Sequence, residues 1–272
     1  MGAEVRVRKW GFLVIRRART NREGKFSTRR IRTKRVKYAV YFNSSGNFVV
    51  KAGTYFWNAR HRSHRRYKRS GWYQHFSEGG RSHLYALVQN AAYDYYTRIV
   101  PKYGLKRPRY SRISAKYNAC ASSQHRPEVL SNGYWPISDI RVTRKNGKCQ
   151  YRQSDGIYAT TVHELTHAGH RQMDMGMFSI FESGSCNRTF LKESWAEGVE
   201  TIVTNDRYLA LDENYWASNR YNNTNLRLWN DSRQTQIVSQ MTEYTPIVID
   251  LVDNVNQNSI PNIPDTQPID RV

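Results

Sequence analysis

The stretch TTVHELTHAGH, residues 160–170, sets His163 and His167 four positions apart, with Glu164 directly after the first. On an α-helix such residues stand about 40° apart on one face and one turn apart along the axis, so both imidazoles can reach one cation. Glu164, one position further round, can lean beside that cation without binding it and take a proton from water at the open coordination position. Two ligands at helical pitch with a base beside them are the physical content of an HExxH motif, and the chemistry it serves is metal-assisted hydrolysis. The competing reading of the same residues is a pair of helix-surface histidines matched with nearby acids.

A catalytic metal needs a third protein ligand. One arrangement would place a histidine six residues beyond His167, but position 173 is methionine. His170 lies only three residues past His167, and with His167 on the ion it is expected to project beyond it. No histidine follows residue 170. Among the usual ligand types, that leaves a carboxylate from a later segment. FLKESWAEGVETI, residues 190–202, carries Glu193, Glu197 and Glu200 at i, i+4 and i+7. Three carboxylates on one helical face repel each other unless something cationic lies opposite.

HELTH followed by FLKESWAEG resembles the gluzincin metallopeptidases, the group that contains thermolysin and the zinc aminopeptidases. Their second zinc helix often reads Trp-Leu-Asn-Glu-Gly-Phe-Ala-Glu-Tyr, and its first glutamate binds the metal. Laid on that pattern, Glu193 becomes the third ligand, Ser194 replaces the common glycine and Gly198 the aromatic residue. Glu197 takes the place of an acid that orients a zinc histidine. A competing alignment on WAEGVE would make Glu197 the ligand. The resemblance spans about residues 155–205, and more loosely the segment 82–100. It implies Zn²⁺ on His163, His167 and Glu193, with Glu164 as general base in the hydrolysis of a peptide or protein substrate. It also implies a downstream tyrosine that hydrogen-bonds the oxyanion. Tyr208 and Tyr244 are the candidates, Tyr244 because its distance from Glu193 resembles the aminopeptidase arrangement.

Helices must carry these residues, and the sequence supplies them. Segments 155–174, with Asp155 as a possible N-cap, and 190–209 are expected helices. Another is SHLYALVQNAAYDYYTRIV, where Leu84, Leu87, Val88, Ala91, Ala92, Tyr95 and Ile99 keep helical period until Pro101 and Gly104 end it. Strands are expected at 110–117 and 137–143, and further helices at 232–241 and 245–257. Residues 3–50 read as strands: EVRVRKWGFLVI and VKYAVYF alternate or carry β-branched and aromatic residues, with turn signals at TNREGKF and NSSGN. The expected fold class is α+β. A basic β-sandwich-like accessory module at 1–57 would be followed by a basic linker at 58–80. A mainly helical, zincin-like domain with a small sheet would then occupy 81–272.

Charge is distributed unevenly. Residues 1–69 carry 21 lysines and arginines against Glu4 and Glu23, which is +19 of the chain's +21. Such asymmetry means either a separate module or a tail that meets a polyanion, and positive charge alone does not choose among nucleic acid, acidic glycan and lipid head group. Two alternatives to a peptidase follow: a polyanion-binding protein with a non-catalytic metal, or an HExxH protease acting on DNA-bound proteins. ARTNREGKFST resembles the turn of carboxypeptidase-regulatory-like domains, which implies a bacterial protein of the cell envelope or exterior. No apolar run is long enough for a transmembrane segment, and MGAEVRVRKWGF has no apolar signal core. Cys120, Cys149 and Cys186 fit one disulfide plus a thiol, or three thiols.

Overall fold

The computed structural model describes residues 1–53, 56–64, 67–68, 71–120, 124–125, 140–174 and 186–211. Over them the chain is α+β, with two five-stranded sheets and three helical segments, the first interrupted by a π-turn. It divides into two compact units, Met1–Thr161 and Val162–Val272.

The first sheet has the order β2-β1-β3-β6, with β7 also on β3. It comprises β1 (Glu4–Lys9), β2 (Leu13–Arg19), β3 (Arg35–Tyr41), β6 (Arg60–Arg62) and β7 (Tyr67–Lys68). Alternation sets its faces: Val5 and Val7 are buried, and so are their partners Val40 and Tyr38 across the antiparallel pair. The arginines between them are held on the other face, where the Arg6 guanidinium lies 3.9 Å over the Tyr41 ring and Arg8 Nη2 donates to Tyr41 Oη at 3.0 Å. The expected linker at 58–80 thus contributes two short strands, because its basic residues alternate with side chains that pack on β3.

In the second sheet the order is β4-β5-β8-β10-β9, from β4 (Asn43–Ser44), β5 (Phe48–Lys51), β8 (Ser111–Cys120), β9 (Gln124–His125) and β10 (Ile140–Lys145). β5 runs parallel to β8, and β8 parallel to β10. Parallel strands are covered on both faces and read as near-continuous apolar runs; Ile113, Ala115, Ile140 and Val142 are fully buried accordingly. Strands from residues 1–57 therefore divide between two sheets, and the second is completed by residues 111–145.

A parallel β5–β8 pair requires a crossover, and α1 (Arg81–Asp94) supplies it, packing Leu84, Val88, Ala91 and Ala92 inward. A π-turn (Tyr95–Ile99) and α2 (Val100–Tyr103) continue the same helical path. The expected stop at Pro101 does not occur. Pro101 has no N–H and its ring crowds the carbonyl four residues back, but the wider π-turn just before it, closed by Val100 N–H to Tyr95 O, relieves that crowding. The path ends at Gly104, which adopts φ 63°. Tyr96 Oη then ties the helix to the start of β8 through Arg109 O at 2.7 Å and Ser111 Oγ at 2.9 Å.

α3 (Ser154–Met173) begins one residue ahead of Asp155, which lies within the first turn, where its charge suits the helix dipole. The buried hydroxyls of Thr161 and Thr166 return to the carbonyls of Ile157 and Val162 at 2.7 and 2.9 Å. Within the first unit, Tyr158 Oη donates to the buried carboxylate of Asp94 at 3.2 Å. This fixes the rotation of the first turns of α3. α4 (Cys186–Leu209) starts four residues before the expected 190, because apolar period begins at Phe190 while the residues ahead contain no breaker. Tyr244 and the expected helices at 232–241 and 245–257 lie outside the described residues.

Of the cysteine alternatives, the structure contains a Cys120–Cys149 disulfide spanning 29 residues of sequence. It joins the end of β8 to the turn after β10, beside the Lys145–Cys120 register pair. Chain-entropy arguments give such a loop closure about 3–4 kcal/mol. The Cys120→Ser/Cys149→Ser double variant is expected to lose about that much unfolding free energy in urea titration; an unchanged midpoint would show that the strands hold this edge unaided.

Candidate metal centre

All the geometry of the site lies within the second unit, on α3 from His163 onward and on α4. His163 and His167 project from one face of α3, with their rings 4.7 Å apart and nearly perpendicular. Their Nε2 atoms lie 3.0 Å from each other. Oε2 of Glu193, on α4, lies 3.2 Å from the first and 3.3 Å from the second. Three donor atoms thus form a nearly equilateral triangle. Two imidazole nitrogens and a carboxylate oxygen at tetrahedral angles on zinc, with bonds of about 2.0–2.1 Å, would stand about 3.3 Å apart. The residues fit the ion in donor type and in spacing. Glu193, not Glu197, closes the trio.

A second carboxylate holds the other side of the first ring. His163 Nδ1 lies 2.9 Å from Glu200 Oε2, and 3.9 Å from Glu197 Oε2. The orienting acid is therefore Glu200 rather than the expected Glu197. Seven residues bring a helix back to within about 20° of its starting direction, whereas four leave it about 40° away. Glu193 and Glu200 consequently share a line on α4 and clasp the two nitrogens of one imidazole. The signal was in the sequence as the i, i+7 spacing, but only the crossing of the two helices shows which acid meets the ring. His163, Glu197 and Glu200 form a second His/Glu group close enough to share a cation, and it overlaps the first through His163.

Burial makes this electrostatics strong. The side chains of His163 and His167 are 11% and 8% exposed, and that of Glu193 28%. Desolvation pushes the His163 pKa down, yet Glu193 and Glu200 carry it well above its ordinary value, with Glu164 adding its charge from the neighbouring position. For His167 desolvation prevails, assisted by the adjacent His163, and its pKa falls. The two rings hold the Glu193 carboxyl well below the usual carboxylate range in spite of its burial. Both imidazoles cannot be protonated with their nitrogens 3.0 Å apart. A divalent cation at the centre would satisfy both ring nitrogens and the carboxylate together.

The remaining expected residues separate clearly. Glu164 is buried, at 5% exposure. His170 packs its ring 6.2 Å from that of Trp195, outside the trio; burial and the neighbouring His167 lower its pKa. Tyr208 sits on the same continuous helix fifteen residues beyond Glu193, about 22 Å along the axis at 1.5 Å per residue. That distance removes it from the oxyanion role. Comparison with protein-family models, with curated proteins and with solved structures yields no match.

Metal analysis of the purified protein is expected to give one zinc per chain, with His163→Ala, His167→Ala and Glu193→Ala each nearly metal-free and Glu197→Gln still loaded. Glu200→Gln should retain zinc at an affinity about 10–100-fold weaker in competition with a chelating dye. Full loading of Glu193→Ala would reassign the third ligand. Because zinc must displace the proton that Glu193 and Glu200 stabilise on His163, its affinity should fall about tenfold per unit as pH is lowered.

Proposed function

We propose that this chain is a zinc-dependent peptidase of gluzincin type, in which His163, His167 and Glu193 hold the ion and Glu164 is the general base. The observation that carries the reading is the closed triangle of two Nε2 atoms and one carboxylate oxygen, 3.0–3.3 Å on a side. Three protein ligands leave a fourth position for water or substrate, which is the mark of a catalytic rather than a structural site. When bound, zinc supplies a Lewis acid that acidifies water and polarises a carbonyl oxygen.

The chain's own residues do the rest. His163 and His167 present Nε2 lone pairs, and the Glu200 carboxylate, 2.9 Å from His163 Nδ1, favours the tautomer with the proton on that nitrogen. A carboxylate oxygen of Glu164 takes the proton of the water that attacks the peptide carbonyl and passes it to the departing amine nitrogen. The pairing of an HExxH helix with a glutamate-bearing helix supports a zincin-like arrangement for the second unit. The accessory-module reading of residues 1–57 has less behind it, since β4 and β5 belong to a sheet with β8–β10. A location at the cell envelope or exterior is supported by the Cys120–Cys149 disulfide, a bond that persists in oxidising compartments.

Zinc-loaded protein incubated with a mixed peptide library should release new amino termini. Glu164→Gln should cut the rate about 10²–10⁴-fold while zinc content stays unchanged. A variant that hydrolyses peptides as fast as the wild type, or a loaded wild type that hydrolyses none, overturns the assignment.

A further inference from the structure

We propose that the tip of the β1–β2 hairpin is a docking site for an anionic lipid surface, a role independent of the peptidase reading. Trp10, Phe12 and Leu13 are 58%, 72% and 45% exposed. Three large apolar side chains within four residues are thus exposed at the turn of an edge hairpin, where no core contact among the described residues accounts for them.

The turn is built to present them. Its backbone takes positive φ at two consecutive residues, 52° at Trp10 and 91° at Gly11. The second suits glycine, whereas the first is a strained conformation for tryptophan. Arg8 Nη1 pins the turn by donating to Gly11 O at 3.2 Å, and the β1–β2 register shifts between Val7 and Arg8, a bulge that re-aims the hairpin end. The rings of Trp10 and Phe12 keep together, 6.1 Å apart. A strained aromatic held in place at an exposed tip points to a contact outside the chain.

Charge selects the partner. From residue 5 to residue 22 the sequence has seven lysines and arginines and no acid, and the strand register places Arg8, Lys9 and Arg16 at the tip. Glu4, at the opposite end of β1, is already engaged by Arg6 and by Arg17 at 3.7 Å. Apolar side chains ringed by cations suit a bilayer interface, where the rings enter the boundary between head groups and acyl chains while Lys and Arg meet anionic head groups. Single-stranded nucleic acid shares the positive requirement but needs free π-faces for its bases. Here Lys9 Nζ lies 4.2 Å over the Trp10 ring, and the third apolar residue is a leucine. Among the described residues no helix is long and apolar enough to cross a membrane, so the contact proposed is peripheral.

Full-length protein would be sedimented with phosphatidylcholine vesicles, with and without phosphatidylserine. The wild type should bind the anionic vesicles and not the neutral ones, with affinity falling as salt rises. Trp10→Ser/Phe12→Ser should bind about tenfold or more weakly while keeping the wild-type Tm and its affinity for an oligothymidine strand. Lys9→Gln/Arg16→Gln should also weaken vesicle binding, and brominated acyl chains should quench tryptophan emission in the wild type but less in Trp10→Ser. Vesicle binding equal to wild type in the Trp10→Ser/Phe12→Ser variant overturns the proposal. So does a matching loss of oligothymidine affinity, which would mark a nucleic-acid platform instead, and so does a wild type that ignores anionic vesicles.

Discussion

The second unit is organised about one imidazole. His163 meets an α4 carboxylate at each of its ring nitrogens, Glu193 at Nε2 and Glu200 at Nδ1, and its Nε2 faces that of His167. Side chains of this kind are costly to bury unless their charges are matched. Here each is matched by a neighbour on the facing helix, so the relative register of α3 and α4 and the electrostatics of the site are one constraint. Moving α4 by a single residue would turn Glu193 about 100° away from the rings and leave a buried imidazole pair facing no carboxylate.

On α3 the buried hydroxyls of Thr161 and Thr166 return to carbonyls one turn back, so these two side chains are buried with their donors satisfied. The first turns of the helix are oriented by Tyr158 on Asp94, a buried acid that α1 brings to the same place. α1 is in turn set by the parallel β5–β8 crossover it has to make. Within the first unit, a chain of physical dependence therefore runs from the second sheet through α1 to the first turns of α3.

Charge and apolar exposure follow a different logic in the first unit. The excess of arginine is compatible with a folded sheet because the guanidinium groups of Arg6 and Arg8 meet Tyr41, which offers a π-face to one and a hydroxyl to the other. Glu4 neutralises only the far end of the hairpin. The tip keeps its cations together with three exposed apolar groups.

By itself the sequence determined the local features that repeat with a fixed period. These include the α3 and α4 helices, the shared face of His163 and His167, the stripe of three glutamates, and the alternation that makes strands of 4–9 and 35–41. It also confined nearly all the net positive charge to residues 1–69. Those are properties of neighbours along the chain, and helical or extended geometry converts them directly into position. Tertiary structure alone decided which glutamate meets the rings and which orients His163, because helix crossing is set by packing rather than by spacing. It likewise decided that β5 pairs with β8, that the 58–80 segment supplies strands, and that Cys120 joins Cys149. Each depends on groups distant in sequence meeting in space, which local period does not encode.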